Sequence, residues 1–212
     1  MTVVSNTQIY GLDESIYRSG YPMLHTAPSE KEFEDAIFKI KLSRNNQDKT
    51  NEHINRAINL SKAKGGGHDQ FLTGIIVQFD LSFTNKAWVE AERYTFLNFI
   101  SSMSTMHKVS SFDLNNCCND YVSEDILKAV NKLRTEYVLI DDSEQNKEKK
   151  KQAYLKLLYN LPNGLIITAG MTTNYRCLKN IYQQRKNHRL PDWQEFCKWI
   201  ETLPMKELII GE

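Results

Sequence analysis

Apolar residues along this 212-residue chain follow two rhythms, a strict alternation in a few short runs and a three-to-four-residue spacing in most of the rest. "TVVSNTQIYGL" reads as a short strand with a turn, and alternation with β-branching predicts a strand in "GIIVQFDLSF", where Ile75, Val77, Phe79 and Leu81 share one face. "GLIITAGMT" reads as a strand or an apolar turn. Helical spacing marks "NEHINRAINLSKAK" through Ile54, Ala57, Ile58 and Leu60, with the run "GGG" as its glycine terminus. It also marks "SEDILKAVNKLRTEYVLI" behind a capping Ser123, "KKQAYLKLLYNL" stopped by Pro162, and "LPDWQEFCKWIETLP" with Pro191 near its first position and Asp192 in its first turn. "TNKAWVEAERYTFLNFISSMSTMHK" reads as one long helix capped by Thr84 or Asn85, and "DESIYRSG" as a helical turn capped by Asp13 and stopped by Gly20. Residues 41–52 fall in a polar, mixed stretch that reads as a mobile surface loop, and "DDSEQNKEKKK" as a solvated charged connection. The sum is one helix-rich α+β domain over residues 1–212 with a small antiparallel or mixed sheet.

One helical stripe is unusual. In "TTNYRCLKNIYQQRKNHRLPDW" the positions i, i+4, i+7 and i+11 are Asn174, Leu178, Ile181 and Arg185, two apolar residues between two polar ends. Asn174 as an N-terminal cap and Arg185 reaching to solvent from the last turn is one account. The other is that both ends face a cavity whose anionic ligand supplies their partners.

Composition narrows the classes of function. Lys plus Arg number 27 against 26 for Asp plus Glu, so the chain has no general field for nucleic acid and any basic site is local. No run approaches the 18 or so apolar residues of a membrane span, and the N-terminus lacks the pattern of a secretory leader, so a soluble cytoplasmic protein is expected. The four cysteines form neither a CxxC pair nor a Cys/His zinc spacing; reduced intracellular thiols and no metal site are expected.

No phosphate loop, dinucleotide fingerprint, nucleophile elbow or paired-histidine motif occurs. The run Gly65 to Gly67 before His68 is either a flexible turn or a place where backbone approaches a ligand closely. Ser101, Ser102 and Ser104 beside His107 are helix-end caps or small hydroxyl donors to a phosphate; no acidic orienter accompanies them as a nucleophile would need. "QRKNHR" is a basic helix end or a local anion site.

Taken in order, "GHDQFL", the strand "IIVQFDLSF", "KAWVEAERYTFLNFISSMSTMH", "LPNGLIITAGMTTNYRCLKNIYQQR" and "DWQEF" resemble the flavin-dependent thymidylate synthase family, ThyX, over about residues 65–200. That family carries "GHxSxxEH", a helix with "RHRxxSxNExSxRY", and "LP…NxRSLxxFxxxR" followed by "QxEI". Leu161, Pro162, Asn174, Arg176, Leu178 and Arg185 fall at its intervals without a gap. The chain also resembles uncharacterised phage-encoded proteins, which implies a host cytoplasm.

The resemblance implies a flavin-dependent enzyme acting on a pyrimidine deoxynucleotide, through C5 methylation or related alkylation of a dUMP-like substrate. FAD would be the cofactor, with NADPH as reductant and methylenetetrahydrofolate as one-carbon donor. It implies His68, Asn174 and Arg93 at the cofactor, and Arg185, Arg176, Ser104, Ser102 and His107 at the substrate. A homotetramer is implied as well. The chain departs from the family where Arg93 is the one arginine left of "RHR", a residue out of register, where Met106-His107 replaces Arg-Tyr, and where Leu158 replaces an arginine before "LP". Lys156, His107 and Arg189 are the cations that could compensate. The alternative reading is a catalytically degenerate nucleotide- or protein-binding relative, such as a phage accessory factor.

Overall fold

The computed structural model describes residues 3–48, 50–62 and 67–211. Its elements run β1 (Val4–Tyr10), α1 (Leu12–Arg18), α2 (Glu30–Asn45), α3 (Glu52–Lys62), β2 (Ile76–Thr84), α4 (Asn85–Ala91), β3 (Asn98–Ser102), α5 (Thr105–Lys108), α6 (Glu124–Val138), α7 (Lys147–Tyr159), β4 (Ile166–Asn174), α8 (Tyr175–Arg185), α9 (Pro191–Ile200) and α10 (Glu207–Ile210). The four strands form an antiparallel sheet in the order β1-β2-β4-β3. The expected helix-rich α+β class with a small sheet is what the chain adopts.

Two compact units divide the chain, one of residues Met1–Asp80, Tyr94–Asn98 and Met171–Glu212, the other of Leu81–Arg93 and Phe99–Gly170. In the first, β1, the start of β2 and the end of β4 carry a core of Val77, Phe79 and Met171, against which Leu178 and Ile181 of α8 and Trp193, Phe196 and Ile200 of α9 are buried. The β2 face predicted from alternation is the buried one, continuing to Phe83 in the second unit. The second unit is built on Val109, Phe112, Leu114, Val130, Leu157 and Leu165, which join α6 and α7.

The stretch read as one long helix breaks instead into three elements. Thr84 caps α4 as expected, accepting from Ala87 N at 3.2 Å, but the helix ends at Ala91. Residues 98–102 then extend as β3, the sheet's edge strand. "FLNFISS" is aromatic, β-branched and serine-rich, and pairing with β4 overrides the helical spacing drawn through it. One helix-forming stretch went unread: residues 41–45 of the expected loop are the last turn of α2. That helix opens with a reciprocal capping box, in which Ser29 Oγ accepts from Glu32 N and the Glu32 carboxylate accepts from Ser29 N at 2.7 Å. Its inward stripe is Phe33, Ile37, Ile40 and Arg44. The expected glycine terminus of α3 lies outside the described residues except for Gly67, which stands at φ +73. The charged connection is shorter than expected, since α7 begins at Lys147.

Asp13 does not cap α1. Gly11 holds that position at φ +70, and Asp13 instead takes both Nε and Nη2 of Arg44, at 2.9 and 3.1 Å. A side chain at Gly11 is barred twice, by that left-handed backbone and because its Cβ would lie 2.6 Å from the Gly74 carbonyl oxygen. At Gly74 a Cβ would lie 2.6 Å from Ser15 Oγ, so the start of α1 and the approach to β2 interlock through two bare backbones.

Candidate functional site

In the first unit β4 leads straight into α8 at Asn174, whose backbone is extended and whose side-chain oxygen accepts from Cys177 N at 2.9 Å. The capping account of Asn174 therefore holds. Arg185 at the other end of the stripe does not reach to solvent: it is 7% exposed. Its Nε donates to the Tyr94 hydroxyl at 2.8 Å, its Nη1 lies 2.8 Å from His188 Nε2, and its guanidinium carbon sits 4.7 Å from the centre of the buried Trp193 ring. The reason is α9, which brings an aromatic face over the end of α8 and makes burial of the cation favourable. Tyr94 in turn donates to Gln184 at 3.1 Å.

One turn into α8, Arg176 and Lys179 converge on Asp69, the residue after His68. Lys179 Nζ lies 2.8 Å from Asp69 Oδ2 and Arg176 Nε 3.2 Å from Oδ1, while Arg176 Nη1 donates to Gln70 Oε1 at 2.7 Å. Burial pushes the Asp69 carboxyl up, but the Lys179 hydrogen bond, the Lys179 charge and the Arg176 charge outweigh it and hold the group below its usual range.

His68 is exposed and lines a cavity of about 490 Å³ together with Arg18, Arg56, Tyr21, Leu60 and Phe71. Ser19, Met23, Gly67 and Gln70 complete much of the wall, and no carboxylate lines it among the described residues. Arg56 is held from behind, donating from Nε to Ser19 Oγ and from Nη2 to the Tyr17 carbonyl oxygen, both at 3.3 Å. Its Nη2 also lies 3.0 Å from His53 Nδ1. Burial lowers the His53 imidazole below its ordinary value and the Arg56 charge lowers it further. Burial likewise lowers Arg56. The donor set, two guanidinium groups with Ser19, Gln70 and His68 over apolar and aromatic surface, fits an anionic ligand with a flat ring system.

The remaining candidates belong to the second unit. Arg93 is exposed just past α4. Ser102 ends β3 and is exposed, and Ser104 caps α5 by accepting from His107 N at 3.3 Å. His107 is exposed in that short helix. The capping reading of the serine cluster is thus right for Ser104.

The first unit brings together His68 and Arg176 through Asp69 and Gln70. The residues that complete this arrangement, Arg18, Arg56, Asp69 and Lys179, went unread in the sequence. Arg18 and Arg56 look like ordinary polar positions on amphipathic helices. Lys179 is flanked by Leu178 and Asn180, and nothing in the spacing marks it as buried.

No family model matches the sequence, and no curated protein matches it. Solved structures do match. A crystal structure of flavin-dependent thymidylate synthase ThyX from Helicobacter pylori, complexed with FAD and dUMP, aligns over 98% of this chain and 99% of that one with a TM-score of 0.65 and 14% identity. A second Helicobacter pylori ThyX structure with FAD and dUMP aligns over 99% and 97% with a TM-score of 0.62 and 15% identity. The chain therefore has the ThyX fold, in a strongly divergent sequence. Among the described residues no helix is long and apolar enough to cross a membrane.

Proposed function

We propose that this protein binds FAD and acts as a thymidylate-synthase-like enzyme on a pyrimidine deoxynucleotide, methylating or otherwise alkylating C5 of a dUMP-like substrate. The observation that carries the reading is the cavity at His68, lined by Arg18 and Arg56 with no carboxylate among its described residues, in a chain that shares its fold with proteins solved with FAD and dUMP. Bound flavin supplies hydride chemistry, so the chain needs no nucleophile of its own. Its residues position and neutralise. Arg18 and Arg56 offset the charge of a pyrophosphate, Phe71, Tyr21 and Leu60 give a ring system apolar surface, and His68 and Gln70 donate at the rim. Asn174 orders the first turn of α8, from which Arg176 reaches Gln70.

On the substrate side the first unit offers Arg176 and Arg185; Ser102, Ser104 and His107, with Arg93 for the cofactor, are implied by resemblance alone. Arg185 is already engaged by Tyr94 and packed on Trp193, and Arg176 by Asp69. A nucleotide phosphate must displace such contacts to gain these donors, so nucleotide affinity falls below that of a site with unengaged arginines. NADPH, methylenetetrahydrofolate, a homotetramer and a cytoplasmic location complete the scheme by resemblance.

The test is the visible absorption spectrum of the protein purified without added cofactor, repeated after incubation with FAD and gel filtration. Oxidised-flavin bands that survive the column, and that weaken in His68→Ala, are the expected result. A colourless protein that cannot be reconstituted sinks the flavin chemistry. Flavin retained without turnover of dUMP or its cytosine counterpart, given NADPH and methylenetetrahydrofolate, leaves the degenerate binding protein as the better account.

A further inference from the structure

We infer that Lys179 is a positioning residue for the cavity wall that carries His68, acting through Asp69 and Ser61 and touching no ligand itself; the flavin part of this inference rests on the reading above. Lys179 is 7% exposed, and a lysine is seldom buried unless paired. Its ammonium donates to the Ser61 carbonyl oxygen at 2.5 Å and to Asp69 Oδ2 at 2.8 Å. Ser61 lies in the last turn of α3, where carbonyls lack partners within the helix and a cation suits the dipole. Leu60, one residue earlier, lines the cavity. Asp69 sits between His68 and Gln70, which line it too, and a 3-10 turn from Gln70 to Gly74 follows.

One ammonium therefore holds two wall segments, the last turn of α3 and the middle of the α3-to-β2 connection. Arg176 holds the second oxygen of the same carboxylate, so Asp69 is fixed in orientation as well as in place. The packing of α8 depends on Leu178 and Ile181, both fully buried, which a change at Lys179 leaves intact. What Lys179 controls is the position of residues 67–71, and with them the imidazole of His68.

The experiment measures amide hydrogen exchange and FAD titration on the wild type, Lys179→Met, Lys179→Arg and Asp69→Asn. In Lys179→Met, exchange at residues 67–74 should quicken about tenfold while α9 keeps its protection, and the FAD Kd should rise about tenfold. Lys179→Arg should recover most of both, and the double variant Asp69→Asn with Lys179→Met should be no worse than the more affected single one. Unchanged exchange at residues 67–74 overturns the inference, and so does acceleration spread equally over α9. Faster local exchange with an unchanged FAD Kd overturns the link to the ligand. A wild type that binds no FAD sinks the functional reading alone, and exchange then decides the role of Lys179. Should Lys179→Met fail to fold, Asp69→Asn carries the same measurement, with unchanged exchange again the overturning result.

Discussion

Arg185 brings a guanidinium into a place where 7% of the residue remains exposed, and its neighbours there are two rings, a phenol oxygen and an imidazole. Hydrogen bonds to charged groups stabilise more than neutral ones, and a buried cation over Trp adds to them. Arg185→Ala removes these contacts and opens a cavity beside Trp193. We expect a loss of about 2–3 kcal/mol and a melting temperature lower by roughly 5–10 °C, measured by thermal denaturation. A change of less than about 2 °C would mean that Arg185 is held for a ligand and not for the fold. Its spacing from Asn174 was legible in the sequence, because helical period is set by the backbone. Its burial was not, since Tyr94 approaches from a segment distant along the chain and Trp193 covers it only because the chain turns back between α8 and α9.

The same spacing, four positions ending in arginine, recurs in α2 as Phe33, Ile37, Ile40 and Arg44. There too the arginine is engaged, by Asp13. The α2 helix was hidden by its charge, yet its start was written in Ser29-x-x-Glu32, a capping box that needs no apolar residue to be read. Ser29→Ala should fray the first turn and quicken amide exchange over residues 30–33 about fivefold, the equivalent of about 1 kcal/mol, leaving α3 unchanged. Strand β2 was legible from alternation because it has a buried face, whereas β4 read only as a strand or an apolar turn and β1 buries Val4 alone. Strand β3 was not: all five of its residues are exposed, with Phe99 at 54%, so no alternation of burial shaped its sequence. An edge strand is specified by its partner, and the partner lies far away in sequence.

Across the whole molecule, positive and negative side chains nearly cancel, and acid response falls to a few placed groups. His53 is held below its ordinary pKa, first by burial and then by Arg56. The unfolded chain therefore takes up that proton before the folded one does. Stability is complete above about pH 6.5 and is lost as pH falls below it. Asp69, also depressed, contributes stability that persists to lower pH and is lost only below about pH 4. Melting temperature should thus begin to fall between about pH 6.5 and 5, and His53→Gln should flatten that segment of the profile. An unaltered slope in the variant would assign the acid response to other groups.

Gly11 and Gly74 bear on how a chain so far from its neighbours in sequence can still be traced. Gly11 is excluded from carrying a side chain by the Gly74 carbonyl and its own left-handed backbone, while a side chain at Gly74 would meet the hydroxyl of Ser15, on the helix that Gly11 begins. The obstacle at Gly11 is main chain and cannot be removed by a substitution at Gly74, whereas the one at Gly74 is a side-chain hydroxyl that can turn away or be lost by a change at Ser15. A glycine at the Gly11 position is thus the letter this contact would hold longest as the surrounding ones are replaced.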